Sequence, residues 1–190
     1  AELEALFSLD MSEKTAVCIL ADKEEIGSVG ISGMQSHYFE HFMEGLCDAQ
    51  GVKLSDCFAN SFCLSADVSN AFDPNWPETC DKRNNSQLNY GVAICKYTGS
   101  RGKGGASDAS AEAMGHVRST LDKAGVIWQI ATLGKVDQGG GGTVAAYMAN
   151  RNIVTVDAGV PVLSMHAPLE LVSKLDCYET MLACKAIYLA

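Results

Sequence analysis

The stretch Thr15-Ala16-Val17-Cys18-Ile19-Leu20-Ala21-Asp22-Lys23-Glu24-Glu25-Ile26-Gly27-Ser28 sets the reading of the whole chain. Residues 15–22 form an apolar run without alternation, the pattern of a strand buried on both faces of a parallel or mixed sheet. Two adjacent acids follow it directly, and then a Gly-rich turn. In sheets of that kind, ligand-holding groups collect at strand ends.

Further along, the apolar positions Met34, Tyr38, Phe42 and Leu46 recur every fourth residue between Gly33 and Gln50, which predicts an amphipathic helix, and Lys53 to Asn60 predicts a short helical piece. Phe62 to Ala66 reads as a second strand ending at Asp67. Residues 69–90, rich in Asn, Asp and Pro, read as a long loop. Val92 to Tyr97 is a third strand, Ser107 to Ala124 a helix capped by Ser107 or Asp108, and Val126 to Ala131 another strand. The glycine run Gly139 to Gly142 precedes a helical stretch ending near Asn150, and Ile153 to Val156 is a further strand. Leu169 to Ala190 is expected to be a helix with Leu171, Leu175, Tyr178 and Leu182 as its buried stripe. Strands alternating with helices predict an α/β fold, a three-layer sandwich with a mainly parallel mixed sheet flanked by helices.

Composition narrows the function. The 190 residues are 47% hydrophobic, as in a globular domain, and no run approaches the roughly 18 apolar residues of a membrane span. Glu2, Glu4, Asp10 and Glu13 are unlike a basic and then apolar export signal, so a cytoplasmic protein with no membrane partner is expected. The net charge of -9, with no cluster of basic residues beyond Lys82-Arg83 and Arg101-Gly102-Lys103, argues against nucleic acid. The eight cysteines show no CxxC spacing and several lie in apolar runs, so they read as reduced, buried thiols.

Three places carry chemistry. Glu24-Glu25 follow an apolar run, and on an extended segment their side chains would point apart, one free to bind a metal and the other to face a water. Asp67 closes another apolar strand, and His166 stands between Val162-Leu163 and Pro168. Singly, these have ordinary explanations as a solvated turn, a cap and a surface histidine. Together, two Glu, one Asp and one His at the ends of different strands are the ligand types of a hydrolytic zinc site.

Asp22 to Ser28, Ser65 to Asn70 with Asp73-Pro74-Asn75, Gly134 to Gln138 through Thr143, and Gly159 to Pro168 together resemble the aspartyl aminopeptidase and aminopeptidase I family of dinuclear zinc peptidases. The likeness covers nearly the whole chain, and Lys96-Tyr97-Thr98-Gly99-Ser100-Arg101-Gly102 points to the bacterial aminopeptidase I-like branch. It implies that Glu24 is the general base acting on the metal-activated water. Glu25 and His166 are implied as ligands of one zinc and Asp67 as a ligand of the other, with cobalt or manganese as alternative metals. Lys96 is implied near the substrate pocket, where a basic group suits an acidic side chain or a carboxylate. Gly142 and Thr143 belong to a run whose backbone amides can approach a substrate, although a turn and helix start need the same glycines. His37, His41 and His116 lie outside the matching motifs and are read as non-ligands.

Two parts of the family pattern are absent, the His of an early His-x-Asp motif and the Asp bridging both metals, along with the inserted domain used in subunit contacts. Residues 1–190 therefore read as the C-terminal part of a catalytic domain, an incomplete zinc-exopeptidase-like sandwich. Ala1 to Leu9, which looks like the end of a helix already in progress, adds to that expectation. The expected function is removal of the N-terminal residue from peptides by a homo-oligomeric enzyme. A non-catalytic fragment or degenerate homologue acting in subunit assembly is the alternative, and a deacylase or carboxypeptidase shares the same ligand types.

Overall fold

The computed structural model of the chain describes residues 1–101 and 104–190. Gly102 and Lys103, which end one motif and complete a small basic group, lie outside the described residues.

The strands β1 (Phe62–Asn70), β4 (Val154–Leu163), β2 (Val92–Cys95) and β3 (Trp128–Ile130) lie side by side in that order, and β5 (Leu171–Val172) pairs with β4. β1 runs parallel to β4 and β2 parallel to β3, whereas β2 and β5 run antiparallel to β4. The helices are α1 (Glu2–Phe7), α2 (Tyr38–Gln50), α3 (Leu54–Ala59), α4 (Ala111–Ala124), α5 (Ala145–Ala149) and α6 (Lys174–Tyr188). This is the predicted mixed sheet between helical layers, and the sheet is open.

Alternation along the strands assigns the layers. Phe62 and Leu64 join Val117, Leu121 and Ala183 in a core beneath α4 and α6, while Cys63 joins Phe39, Met43, Phe58 and Met148 beneath α2, α3 and α5. Continuing the period of two puts Ser65 and Asp67 on the α5 side. In β4, Val156 and Ala158 go to the α4–α6 core, so Asp157 and Gly159, paired with Ser65 and Asp67, share that α5 side. Leu121 and Val117 are fully buried, and truncating such a leucine to alanine costs about 2–5 kcal/mol.

Four sequence expectations are corrected. Residues 15–22 join no strand of the sheet; the one bridge there pairs Asp22 with Gly33, and Leu20 is 69% exposed. Apolar composition supplies strand propensity, but a ladder needs a neighbour for its amides and carbonyls. This run instead faces the free edge of β1 across a cavity of about 390 Å³, with Cys63 to Asp67 opposite Val17 to Ala21.

α2 starts at Tyr38 rather than Gly33, and it buries Phe39, Met43 and Cys47, leaving Tyr38 69% exposed. Both stripes have fourfold spacing; what selects the second is Phe39, whose ring stacks on Phe58 at 5.6 Å. α4 is capped by Ser110, whose Oγ accepts from the Ala113 amide at 3.1 Å, rather than by Ser107 or Asp108. On α6 the buried residues are Asp176, Thr180, Ala183 and Cys184, and Leu175 is 67% exposed. Asp176 can be buried because it accepts the amides of Asn89 and Gly91 at 2.8 and 2.9 Å. The eight cysteines are free thiols, each buried or half-buried.

Candidate metal and substrate site

The Glu24-Glu25 pair is held by a tight turn, not by an extended segment. Lys23, Gly27 and Ser28 take left-handed conformations (φ 62°, 92° and 57°), and Glu24–Ile26 form one 3₁₀ turn closed by the Ser28 amide on the Lys23 carbonyl at 2.7 Å. Successive residues in such a turn diverge by about 120°. The two carboxylates therefore still point apart, Glu24 half-buried and Glu25 exposed. Gln35 Nε2 donates to the Gly27 carbonyl at 2.6 Å, which ties the turn to the approach to α2. Arg151 holds that approach to the end of α5 through Glu40 at 2.7 Å and the Met34 carbonyl at 3.1 Å.

Asp67 lies inside β1, three residues before its end, because the strand runs on to Asn70. Gly159 is its register partner, and a Cβ there would fall 2.2 Å from the Asp67 carbonyl oxygen, so only glycine lets β4 pass this close. β4 likewise outruns its expected end, to Leu163. His166 follows in a left-handed conformation (φ 67°), and its amide donates to Glu170 Oε1 at 2.5 Å. Glu170 thus stabilises an unfavourable backbone geometry for a non-glycine residue.

These segments enclose a cleft of about 460 Å³, and Glu24, Glu25, Asp67, Gly142, Thr143 and His166 all line it. Glu25 Oε2 lies 3.8 Å from His166 Nδ1. Burial, and then the negative charges of Asp67 and Glu25, raise the Glu24 carboxyl above the ordinary glutamate range, with His166 acting in the opposite sense. This collection of mutually repelling oxygen donors beside an imidazole fits a divalent cation. Among the described residues, however, no three His, Cys, Asp or Glu groups stand together as a metal cluster. Glu25 with His166 is a pair, and Asp67 is a single further donor.

Lys96 does not line this cleft; its Nζ is engaged by the Asp108 carboxylate. His37 pairs with Glu40 at 2.5 Å, and the His116 ring packs edge-on against Phe62 at 5.1 Å. Neither they nor His41 line the cleft.

The glycine run divides into two parts. Gly140 has φ 97°, and a Cβ on it would fall 1.8 Å from the Gly99 carbonyl oxygen, whereas one on Gly142 would meet nothing nearer than Gly105 O at 3.6 Å. Among the described residues, packing demands the first glycine and not the second.

The profile of the family described as aminopeptidase I zinc metalloprotease (M18) matches residues 1–188. The chain belongs to that family. A probable M18 family aminopeptidase 1 of Clostridium acetobutylicum is 49% identical over 181 residues, which is 93% of this chain and 39% of that protein. The crystal structure of aminopeptidase I from Clostridium acetobutylicum matches at TM-score 0.94 and 45% identity, covering all of this chain (100%) and 41% of the other. An M18 family aminopeptidase structure from Thermotoga maritima matches at TM-score 0.94 and 42% identity, covering 98% and 42%. This M18 chain thus spans about two fifths of the length of the relatives it matches.

Sequence reasoning missed Asp157, Glu170, Gln35 and Arg151 as supports of the cleft. Asp157 carried a signal, an acid in the middle of the apolar run from Val154 to Val162. The others are polar residues in loops or at helix ends, whose partners only the fold supplies.

Proposed function

We propose that this M18 chain is the C-terminal part of the catalytic domain of a zinc aminopeptidase that removes the N-terminal residue from peptides. The observation that carries the reading is the convergence of Glu24, Glu25, Asp67 and His166, from three separate segments, on one cleft. Glu25 and His166 would hold one zinc and Asp67 would contribute to a second, with cobalt or manganese as possible substitutes. When bound, the metals supply Lewis acidity and lower the pKa of water. Glu24, whose carboxyl is already biased toward holding a proton, takes a proton from the attacking water and returns it to the departing amine. Gly142 and Thr143 present backbone to the substrate at the rim, and the carboxylates attract its free α-amino group. Lys96 is retained as a reader of acidic side chains, reached from outside the cleft lining.

Zinc sites ordinarily use three or more protein ligands, so the remaining donors, including a bridging Asp, are assigned to another part of the complete enzyme. The cavity between residues 17–21 and β1 leaves room for additional chain beside Asp67. Cytoplasmic location and homo-oligomeric assembly belong to the same proposal. The exposed apolar side chains Leu171, Leu175 and Tyr178 support subunit contact. The second reading, a non-catalytic module for assembly, is favoured by the lack of a three-donor metal cluster among the described residues.

Peptide assays on the zinc-loaded complete enzyme test the proposal. Release of the N-terminal residue from a free-amine peptide, with no action on the N-acetylated peptide, is expected. Cleavage of the acyl group or of the C-terminal residue would replace the aminopeptidase reading with a deacylase or a carboxypeptidase, and no cleavage of any kind would favour the assembly module.

A further inference from the structure

Among the described residues the strongly buried acids are Asp157 and Asp176. The second is explained by the Asn89 and Gly91 amides it accepts. The first has no part in the chemistry above, although it lies on the α5 side of the sheet, 5% exposed, level with Ser65 and two residues from Gly159. An unneeded carboxyl there would be costly, since burying a charge without compensation is unfavourable and an apolar residue of similar size fits a strand interior.

What Asp157 does hold is Thr143. The Thr143 hydroxyl donates to Asp157 Oδ1 at 2.7 Å and accepts from the Ala145 amide at 3.3 Å, so one side chain links the buried carboxyl to the start of α5. The other end of the run is fixed independently by Gly140, crowded against the Gly99 carbonyl. Between these two anchors Gly141, Gly142 and Thr143 border the cleft that holds Glu24 and Glu25. Among the described residues, an added Cβ on Gly142 would meet nothing nearer than the Gly105 carbonyl oxygen at 3.6 Å.

We propose that Asp157 is a positioning residue, which through Thr143 sets the backbone of Gly141–Thr143 against the bound peptide. The inference rests on the aminopeptidase reading and deepens it by naming what holds the substrate-facing strip in place. Burial raises the Asp157 carboxyl to about 6, while the Thr143 hydroxyl, with Ser65 and Thr98 nearby, favours the charged form. At neutral pH the anchor is thus mostly a carboxylate, and its bond to Thr143 is charge-assisted.

The test is a set of substitutions in the complete, metal-loaded enzyme, read as separate kcat and KM values with metal content alongside. Asp157→Ala and Thr143→Val should each raise KM about tenfold, the loss expected for one hydrogen bond, with metal content and kcat little changed. The double variant should be no worse than either single one, because both remove the same link. Asp157→Asn and Thr143→Ser, which keep acceptor and donor, should restore KM to near the wild-type value. Multiplying KM losses in the double variant, an unchanged KM in Thr143→Val, or lost metal with depressed kcat in Asp157→Ala would overturn the proposal. Should Asp157→Ala not fold, the contrast between Thr143→Val and Thr143→Ser decides alone. A failed aminopeptidase reading is distinguished by the wild type, which would then not release N-terminal residues.

Discussion

Glu25 Oε2 and His166 Nδ1 stand 3.8 Å apart, although one belongs to a 3₁₀ turn near the start of the chain and the other to a left-handed residue beyond β4. The pair is expected to act as a ligand unit. In the complete enzyme, Glu25→Ala and His166→Ala should each lower zinc content by about one equivalent, since a site reduced below three protein donors binds weakly. Elemental analysis of purified variants checks this, and full zinc retention in both would remove the pair from the metal site.

The two glycines of the run should respond oppositely to an added methyl. Gly140→Ala forces a Cβ into the Gly99 carbonyl at a positive φ, and it should destabilise the chain by about 1–3 kcal/mol or more. Gly142→Ala meets only an ordinary contact with Gly105, so its stability should stay within about 0.5 kcal/mol of wild type while KM rises. Denaturant melts and steady-state kinetics separate the two. A Gly142→Ala enzyme with unchanged KM would show that this backbone does not meet the substrate.

Much of this architecture is legible in the residues, but unevenly. Strand positions from Phe62, Val92 and Val126 onward stand out because their apolar runs have partners within the chain. Thr15 to Asp22 has the same composition and stays out of the sheet, because composition is silent about whether a neighbouring strand is present. The buried faces of α2 and α6 differ from those the spacing predicts for another reason. Tyr38/Phe42 and Phe39/Met43 are equivalent by spacing, and Asp176 is buried only because two loop amides meet it. In the cleft, Glu24, Glu25, Asp67 and His166 were visible as acids and an imidazole beside apolar segments. Asp157 was passed over because a buried acid in a strand has no local signature of its partner.

Asp157 also makes a prediction about pH. Its carboxyl is raised from 3.8 to about 6 in the folded chain, so between those values the folded state holds more protons than the unfolded state, and stability falls as pH rises. The difference corresponds to about 3 kcal/mol, fully imposed above pH about 6 and absent below pH about 4. Asp157→Asn should lack this loss. The variant's stability relative to wild type should therefore increase from pH 4 to pH 7 in urea melts of the 190-residue chain. A difference that does not change with pH would show that Asp157 titrates normally.

Lys96 is held by Asp108 at the end of β2, outside the cleft lining. If it reads acidic side chains, Lys96→Ala should lower kcat/KM for acidic N-terminal residues more than for neutral ones. Equal effects on all substrates would reduce it to a structural partner of Asp108.

The central claim is that Glu24 is a base and not a ligand, and Glu24→Gln in the complete enzyme tests it most directly when turnover and bound metal are measured on the same sample. The amide keeps the shape of the side chain but cannot take the proton. Turnover should therefore fall by about 10²-fold or more while metal content stays at the wild-type level. Loss of the metals together with activity, or retention of more than about a tenth of the wild-type rate, would contradict the assignment.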